Sequence, residues 1–247
     1  MPRFKLIVAY DGTNYHGFVR QKNAITVQQV LEEAITAIVR QPVQIEGSGR
    51  TDAGVHAKGQ CCIFDADTSI PVTKLIRGIN SKLPRDIVIK KIEIAADDFH
   101  PRFDTKNKTY RYQILNSETN DPFICKYAYF YPCPLDIERM QEAADYIIGE
   151  HDFKCFCSAH TTVLSTVRTI YDLKVIKKDE LIHIDVCGNG FLYNMVRIIA
   201  GTLIQVGSNR LSPDQITAII KSKDRRLAGP TAPPEGLTML KIKYEEK

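Results

Sequence analysis

The spacing of apolar residues divides the first half of the chain into alternating strands and helices. Short β-rich runs at Phe4–Ala9, Gln60–Phe64 and Ile87–Ile94 have the composition of strands. Apolar residues recur at helical spacing after Thr26, with Gln29 completing a capping-box pattern. With a short strand at 43–46 and a second helix at 75–83, the predicted order is strand, helix, strand, strand, helix, strand. This order is typical of a ferredoxin-like or RRM-like unit.

The second half roughly repeats this order of elements without repeating the sequence. Strands are predicted at 105–115, 167–176, 181–186 and 237–244, and helices after Asp136, from about Phe191 to Val206, and after Ser212 with Pro213 at the first helical position. We therefore predict an α+β fold of two RRM-like or ferredoxin-like halves, residues 1–104 and 105–247. The sheet should be mixed and largely antiparallel, with helices mainly on one face and an active-site cleft between the halves.

Composition adds few constraints. A chain of 247 residues with a formal net charge of +4 permits a polyanionic partner without requiring one. The seven cysteines are an odd number and no secretory segment is evident, so we expect reduced thiols and a cytoplasmic protein. The longest apolar stretch, 191–206, is interrupted by Asn194 and Arg197, so we do not expect it to span a membrane.

The stretch EGSGRTDAGVHAKGQ, residues 46–60, is the strongest candidate for a chemical centre. Its glycines allow positive φ and close approach to a ligand around a charged core, which consists of Arg50, Thr51, Asp52 and His56. The spacing fits neither the phosphate-binding P-loop nor the dinucleotide fingerprint. We expect a loop that joins two strands and presents Asp52, although a tight turn without chemistry has the same composition.

Arg197 lies in a predicted helix composed mostly of Leu, Ile, Val and Met. Together with Gly190, Asn194 and Gly201 it forms a small and polar stripe suited to the close approach of a backbone or ligand. A buried guanidinium needs a partner, and Asp52 is our candidate for it. Extension of Arg197 to the surface is the alternative.

Tyr110 lies in the strand sequence KTYRY. Alternation places Lys108, Tyr110 and Tyr112 on one face and Arg111 on the other. An aromatic ring flanked by cations suits stacking on an unpaired base. The alternative is an ordinary cross-strand aromatic residue.

The stretch GSGRTDAGVHA resembles the signature of the tRNA pseudouridine synthase A family, and similar stretches run from AYDGTNYHGF to AGPTAPPEGL. The resemblance implies an enzyme, an isomerase, that converts uridines 38, 39 and/or 40 in the anticodon stem-loop of tRNA to pseudouridine by base flipping. It also implies a homodimer with tRNA as its partner, and neither DNA nor membrane. One departure is Phe18 and Val19, where the family usually carries tryptophan and glutamine.

The resemblance also implies the roles of the candidate residues. Asp52, in the N-terminal half, would be the catalytic nucleophile, and Arg50 would help to extrude the target base. In the C-terminal half, Tyr110 would stack on that base and Arg197 would pair with the aspartate. The reaction oxidises nothing and imports no group, so we expect no cofactor and no metal. An arginine alongside would keep the carboxyl group ionised.

Clustered cations are candidates for an RNA-binding surface whose affinity falls steeply with salt. They are Arg77, Lys82 and Arg85 on one predicted helix, Arg102, Lys106 and Lys108 in the basic connector of residues 99–112, and Lys221, Lys223, Arg225 and Arg226 near the end. We expect Arg102 and Lys108 to bind substrate, as Tyr110 and Arg50 would. Each cation could instead belong to an ordinary solvated surface.

Two further groupings and two other functions remain open at this level. His151, Cys155, Cys157 and His160 could be drawn as a zinc site, but their spacing is unusual for one. His56 could be a general base, although packing beside the loop is the simpler role. The rival functions are an RRM-class RNA-binding module without chemistry, and a metal-dependent hydrolase that uses Asp52 and His56. The K/R-G-F/Y pattern of an RRM is absent from the sequence.

Overall fold

The computed structural model describes residues 1–158 and 163–244. The chain forms two compact units. The first contains Met1–Lys106 together with the chain from Met239, and the second contains Asn107–Thr238. The division falls close to the boundary expected near residue 104, and the C-terminal strand groups with the first unit.

The described residues form strands and helices in the following order. The strands are β1 (Arg3–Tyr10), β2 (Glu46–Gly47), β3 (His56–Asp65), β4 (Ile87–Ala95), β5 (Thr105–Leu115), β6 (Tyr129–Phe130), β7 (Gly149–Asp152), β8 (Val167–Lys178), β9 (Leu181–Gly188) and β10 (Leu237–Tyr244). The α-helices are α1 (Val27–Val39), α2 (Val72–Asn80), α3 (Ile137–Asp145), α4 (Met195–Gly207) and α5 (Gln215–Ser222). Short 3-10 turns lie at Phe153–Phe156, Arg225–Leu227 and Pro234–Gly236.

In the first unit the strands lie in the order β4-β1-β3-β10, with β2 at β3. β1 runs antiparallel to both β3 and β4. Alternate residues of β1, Phe4, Leu6, Val8 and Tyr10, are buried, as expected for a strand that contributes one face to a core. The predicted order of strands and helices in this half is confirmed.

Two details of the helices predicted for the first half differ from the structure: the capping box of α1 and the end of α2. Thr26 caps α1 by accepting a hydrogen bond from the Gln29 backbone N–H. The Gln29 side chain donates to Glu33, so only half of the predicted capping box forms. α2 ends at Asn80; Arg77 is therefore helical, whereas Lys82 and Arg85 follow the helix. The prediction that one helix carries all three was wrong.

In the second unit the order is β5-β9-β8-β7, and each neighbouring pair is antiparallel. β5 spans the range predicted for it. Arg111 lies opposite Asp185 of β9 and makes two hydrogen bonds of 2.7 Å to its carboxylate. Among the described pairings within the units, β5 with β6 is the parallel one. The predicted α+β class with a largely antiparallel sheet is thus confirmed.

α4 begins four residues later than the apolar pattern indicated. Asn194 has φ of +61°, so the residues before Met195 are not helical. The prediction of a helix from about Phe191 was therefore wrong at its start. Gly190 consequently lies outside the helix, and only part of the predicted stripe is helical. α5 likewise begins at Gln215, after Pro213.

Candidate active site

The candidate catalytic loop, residues 48–55, connects β2 to β3 and is tied to β3 at its start. The Ser48 N–H donates to the Cys61 carbonyl at 2.9 Å, and the Gln60 side chain donates to the Gly49 carbonyl at 2.8 Å. Gln60 and Ser48 are both fully buried. The prediction of a loop between two strands is confirmed, and these bonds restrict its movement.

A second loop, residues 11–18, packs against the catalytic loop. The Phe18 N–H donates to the Thr51 carbonyl at 3.1 Å, and the Tyr10 hydroxyl lies 2.8 Å from the Thr51 hydroxyl. The Gly54 N–H donates to the Tyr15 carbonyl at 3.2 Å. These bonds hold the residues on either side of position 52.

Two glycines make this close approach possible. A Cβ atom on Gly12 would lie 2.0 Å from the Val55 carbonyl oxygen. Gly17 has φ of +87°, and a Cβ atom there would lie 2.5 Å from the Thr51 carbonyl oxygen. The stretch AYDGTNYHGF therefore supports the candidate catalytic loop, a role that its resemblance to the family did not indicate. Its paired glycines were the available signal.

Asp52 is half-buried at the end of the loop, between buried Thr51 and exposed Ala53. Arg50, two residues earlier, is exposed. A carboxylate in this position is supported by a rigid backbone and remains partly open to solvent. Such a group can act as a nucleophile if a substrate reaches it.

His56 is buried beneath the two loops. The Gly12 N–H donates to its Nδ1 atom at 3.0 Å, and the Asp11 carboxylate lies 3.1 Å from the same atom. Because Nδ1 accepts the Gly12 hydrogen bond, a neutral ring would carry its hydrogen on Nε2. This geometry favours packing beside the loop over the role of a general base.

Arg197 lies in the first turn of α4 and is half-buried. Its Nε donates to the Ala232 carbonyl at 2.7 Å, and one terminal nitrogen donates to the Asn194 side-chain oxygen at 2.9 Å. The Ala232 N–H in turn donates to the Arg197 carbonyl at 3.1 Å. The guanidinium is therefore oriented by the chain rather than extended freely into solvent, which argues against the surface alternative.

The segment AGPTAPPEGL, residues 228–237, packs closely on α4. A Cβ atom on Gly201 would lie 1.9 Å from the Pro230 carbonyl oxygen. The Gly229 N–H donates to the buried Thr202 hydroxyl at 2.9 Å. The predicted stripe thus accommodates a backbone segment at Gly201, and that segment carries the carbonyl that orients Arg197.

Asn194 connects Arg197 to a third segment. Its side-chain NH₂ donates to the Ser158 hydroxyl at 2.8 Å while its oxygen accepts from Arg197. Sequence reasoning included Asn194 in the stripe but did not assign this orienting contact. An asparagine just before an arginine-bearing helix was the signal.

Tyr110 lies opposite Val186 in the β5–β9 pairing and is 9% exposed. Its ring meets Phe191 edge-on, with centroids 5.1 Å apart and an interplanar angle of 79°. The buried side of β5 also includes Tyr112, whose hydroxyl donates to the Pro233 carbonyl at 2.9 Å. Burial raises the pKa of Tyr112 well above its usual value.

The candidate residues are divided between the two units. Asp52, Arg50 and Arg102 belong to the first, and Tyr110, Lys108 and Arg197 belong to the second. Arg102 is exposed, and Lys108 is half-buried opposite Gly188. The pairing of Asp52 with Arg197 and the stacking role of Tyr110 stay predictions.

Several cations near the C-terminus are engaged within the protein. Lys223 pairs with Asp152 at 2.7 Å, and Arg226 pairs with Asp224 at 2.6 Å. Arg225 donates to the Ala228 carbonyl and the Thr231 hydroxyl. The Lys223 and Arg226 side chains are nevertheless 56% and 88% exposed, so these ion pairs leave both cations accessible. Exposed cations in the two earlier clusters are Arg77, Lys82, Arg85, Arg102 and Lys106.

The zinc alternative finds no support among the described residues, where no three His, Cys, Asp or Glu side chains are arranged to hold a metal ion. His160 lies outside those residues. Cys155 is buried, and burial raises its pKa to about 12. The His151 Nε2 atom lies 3.1 Å from the Ile148 carbonyl. No helix within residues 1–158 and 163–244 is both long and apolar enough to span a bilayer.

Comparison with known proteins agrees with the sequence motifs. The profile of a family described as tRNA pseudouridine synthase matches residues 6–104 and 143–245. tRNA pseudouridine synthase A of Thermoanaerobacter sp. (strain X514) is 47% identical over 244 residues, covering 99% of this chain and 100% of that protein. tRNA pseudouridine synthase A of Brevibacillus brevis is 46% identical over 244 residues, which again cover 99% of this chain and 100% of that protein.

Among solved structures, a chain of a Cbf5-Nop10-Gar1 complex matches 98% of this chain and 50% of its own length. The sequence identity is 12% and the TM-score is 0.39, which is too low to support an inference about fold.

This chain belongs to the tRNA pseudouridine synthase family. The predictions that it is an enzyme, and that it is an isomerase producing pseudouridine in tRNA, are confirmed by that membership.

Proposed function

We propose that this enzyme isomerises uridine 38, 39 and/or 40 in the anticodon arm of tRNA, with Asp52 as its nucleophile. The observation that carries the proposal is the rigid loop 48–55, held by β3 and by loop 11–18, with a half-buried carboxylate near its end. A fixed nucleophile loses little freedom when the substrate binds, and this lowers the barrier to attack.

The proposed reaction begins with flipping of the target uridine out of the helix or loop, at a cost of roughly a few kcal/mol. The carboxylate forms a covalent bond with the nucleotide while the N1–C1′ bond breaks. The uracil ring then turns, C5 joins C1′, and the Asp52 bond breaks. C5 loses its proton and N1 gains one, so the product is an isomer and the net reaction needs no oxidant or co-reactant.

The other candidate residues have supporting roles in the proposal. Tyr110 stacks on the extruded base, Arg50 assists extrusion, and Arg197 pairs with Asp52. Lys108 and Arg102 contact the RNA backbone. The orientation of Arg197 by Ala232 and Asn194 supports its role, because an arginine already aligned loses less conformational entropy on pairing.

The remaining elements of the proposal concern architecture. The two units resemble RRM-like halves, with their helices mainly on one face, and the enzyme acts as a homodimer in the cytoplasm. The order of elements in the first unit supports the RRM-like description. Sedimentation of the purified enzyme at micromolar concentration tests the dimer, and a monomer mass would refute that element alone.

The decisive experiment incubates purified enzyme with an unmodified tRNA transcript, without added metal or cofactor, and maps pseudouridine along the product. We expect product at uridines 38–40 from the wild type and none from Asp52→Asn. Replacing each target uridine with cytidine in turn identifies the positions used.

Asp67→Asn is the matched control, because Asp67 is an exposed aspartate in the same unit. We expect it to retain wild-type activity. Undiminished product from Asp52→Asn would refute the nucleophile assignment. Adding a chelator should leave the yield of pseudouridine unchanged, because the proposed reaction uses no metal.

A further inference from the structure

A second concave site lies within the first unit. A cavity of about 450 Å³ is formed by β1, β4, β10 and the connector that follows β4. Its walls include the rings of Phe99, Phe103 and Tyr244. This volume is within the range of about 300–1,000 Å³ typical of small-ligand sites, so it could hold one nucleotide but no helical RNA segment.

The connector is fixed in place by His100. The His100 Nδ1 atom accepts from the Arg102 backbone N–H at 3.1 Å, and the ring centroid lies 4.2 Å from that of Phe103. Its Nε2 atom lies 3.3 Å from the Glu46 carboxylate. The Tyr244 hydroxyl donates to the Pro101 carbonyl at 3.0 Å. These contacts pre-organise the aromatic wall.

Phe103 is the unusual member of that wall, because 75% of it is exposed. Phe99 and Tyr244, by contrast, meet edge-to-face with centroids 5.1 Å apart. An exposed phenylalanine held by a supporting ring offers a stacking surface for a planar group. Single exposed apolar residues are common, so the surrounding charge decides what this one suits.

The charged residues that line the cavity are Lys5, Glu93, Asp104 and Lys106. Both acids are engaged, because Glu93 lies 3.0 Å from the Lys5 ammonium and Asp104 accepts from the His100 backbone N–H at 2.9 Å. The Lys5 ammonium also lies within 4.9 Å of the centroids of the Phe99 and Tyr244 rings.

Of the four charged residues, Lys106 is the exposed one, so it is the charge that an anionic group of a ligand can reach. The Arg102 guanidinium, also exposed, lies 5.9 Å from the Phe103 ring centroid. Stacking rings beside exposed cations are typical of sites for unpaired nucleotides.

We propose that this cavity binds an unpaired nucleotide of the tRNA substrate, distinct from the uridine that reacts. The base stacks on Phe103 and the phosphate contacts Lys106 and Arg102. The inference rests on the proposed function, since it takes tRNA as the substrate. It assigns a second point of attachment that fixes the RNA while the target base is extruded.

The test measures binding of an unmodified full-length tRNA transcript to the full-length enzyme. We expect Phe103→Ala to raise the Kd about 5- to 100-fold, as loss of one stacked base predicts. Lys106→Ala should raise the Kd and reduce the slope of log K against log salt by about one. At saturating tRNA both variants should retain the wild-type kcat.

Phe123→Ala and Lys126→Ala are the matched controls, because this exposed pair has the same chain spacing in the other unit. We expect wild-type Kd values from both. A transcript containing 4-thiouridine should also crosslink to peptides carrying Phe103 or Tyr244, and the crosslinked nucleotide should differ from the target uridine.

Two outcomes would overturn the inference. One is that Phe103→Ala and Lys106→Ala bind tRNA as the controls do, with no crosslink at the cavity. The other is that uridine 5′-monophosphate binds there as tightly as tRNA, which would assign the cavity to a free nucleotide. Failure of the proposed function has a different signature: the wild type would make no pseudouridine, whatever the Kd of these variants.

Discussion

Asn194 shows how one side chain can orient a neighbouring guanidinium. Its backbone has φ of +61°, a conformation that asparagine tolerates better than most residues. From that position its side chain accepts from Arg197 and donates to Ser158. The left-handed backbone of Asn194 therefore ends the loop before α4, and it also places the side chain where it contacts the Arg197 guanidinium.

Asn194→Gly should separate these two roles, because glycine keeps the backbone conformation and loses the side chain. A hydrogen bond to a charged group contributes about 1.5–3 kcal/mol, so we expect kcat to fall about 10- to 100-fold if Arg197 acts as proposed. The Kd for tRNA and the melting temperature should change little. Single-turnover kinetics and thermal unfolding provide the measurements.

Asn209→Gly is the control for this variant, since Asn209 also has a positive φ, +59°, just after α4. It should retain wild-type kcat. Equal kcat values for the two variants would show that the side chain of Asn194 does not affect catalysis through Arg197.

At the scale of elements, the candidate catalytic loop is held by a neighbouring loop as well as by β3. Loop 11–18 contacts loop 48–55 through backbone atoms, and Gly12 and Gly17 leave no space for a Cβ atom. Phe18 is fully buried there, and its ring would clash with a Cβ atom on Gly47. Phe18, where the family usually has tryptophan, is thus a core residue beneath the loop.

Gly17→Ala should destabilise the first unit, because alanine would have to adopt φ of +87° and contact the Thr51 carbonyl. We expect the free energy of unfolding to fall by about 2–4 kcal/mol, measured by urea denaturation. Pseudouridine formation should fall with it as the loop carrying Asp52 shifts.

Gly190→Ala is the comparison, since a Cβ atom there meets only the flexible Arg168 side chain at 3.5 Å. We expect a change below about 1 kcal/mol. A similar loss of stability in both variants would mean that the positive φ of Gly17 and its closeness to the Thr51 carbonyl do not make this position less tolerant of a side chain.

At the scale of the whole molecule, the seven cysteines differ in burial, so their reactivity is a measure of how each unit is packed. Cys61, Cys62, Cys155 and Cys157 are buried, Cys125 and Cys187 are half-buried, and Cys133 is exposed. Burial raises the pKa of Cys62 and raises that of Cys155 to about 12. The thiolate is the reactive form of cysteine. Cys62 and Cys155 are therefore protected from thiol reagents both by burial and by remaining protonated.

Native labelling with a thiol reagent at pH 8 should modify Cys133 first, because it is the exposed cysteine among the described residues. The raised pKa of Cys155 keeps that group a thiol at pH 8, so it should react only after denaturation in urea. Peptide mass spectrometry identifies the sites. Rapid labelling of Cys155 in the native enzyme at pH 8 would contradict the packing described here.

The C-terminal strand illustrates what local patterns leave out. β10 lies beside β3 in the first unit, and a Cβ atom on Gly59 would be 2.9 Å from the Leu240 carbonyl oxygen. The apolar pattern predicted a strand at 237–244, and the structure has one there. Its place beside β3 depends on contacts between residues far apart in the chain, which periodicity does not contain.

The sequence by itself determined the strand and helix order of the first half, the loop that presents Asp52 and the family. These follow from local periodicity, turn chemistry and a motif eleven residues long. Only the tertiary structure decided that Asn194 delays α4, that Pro230 packs on Gly201, and that loop 11–18 supports the catalytic loop. Those features arise from steric contacts and hydrogen bonds between distant segments, whose energies appear only once the chain has folded.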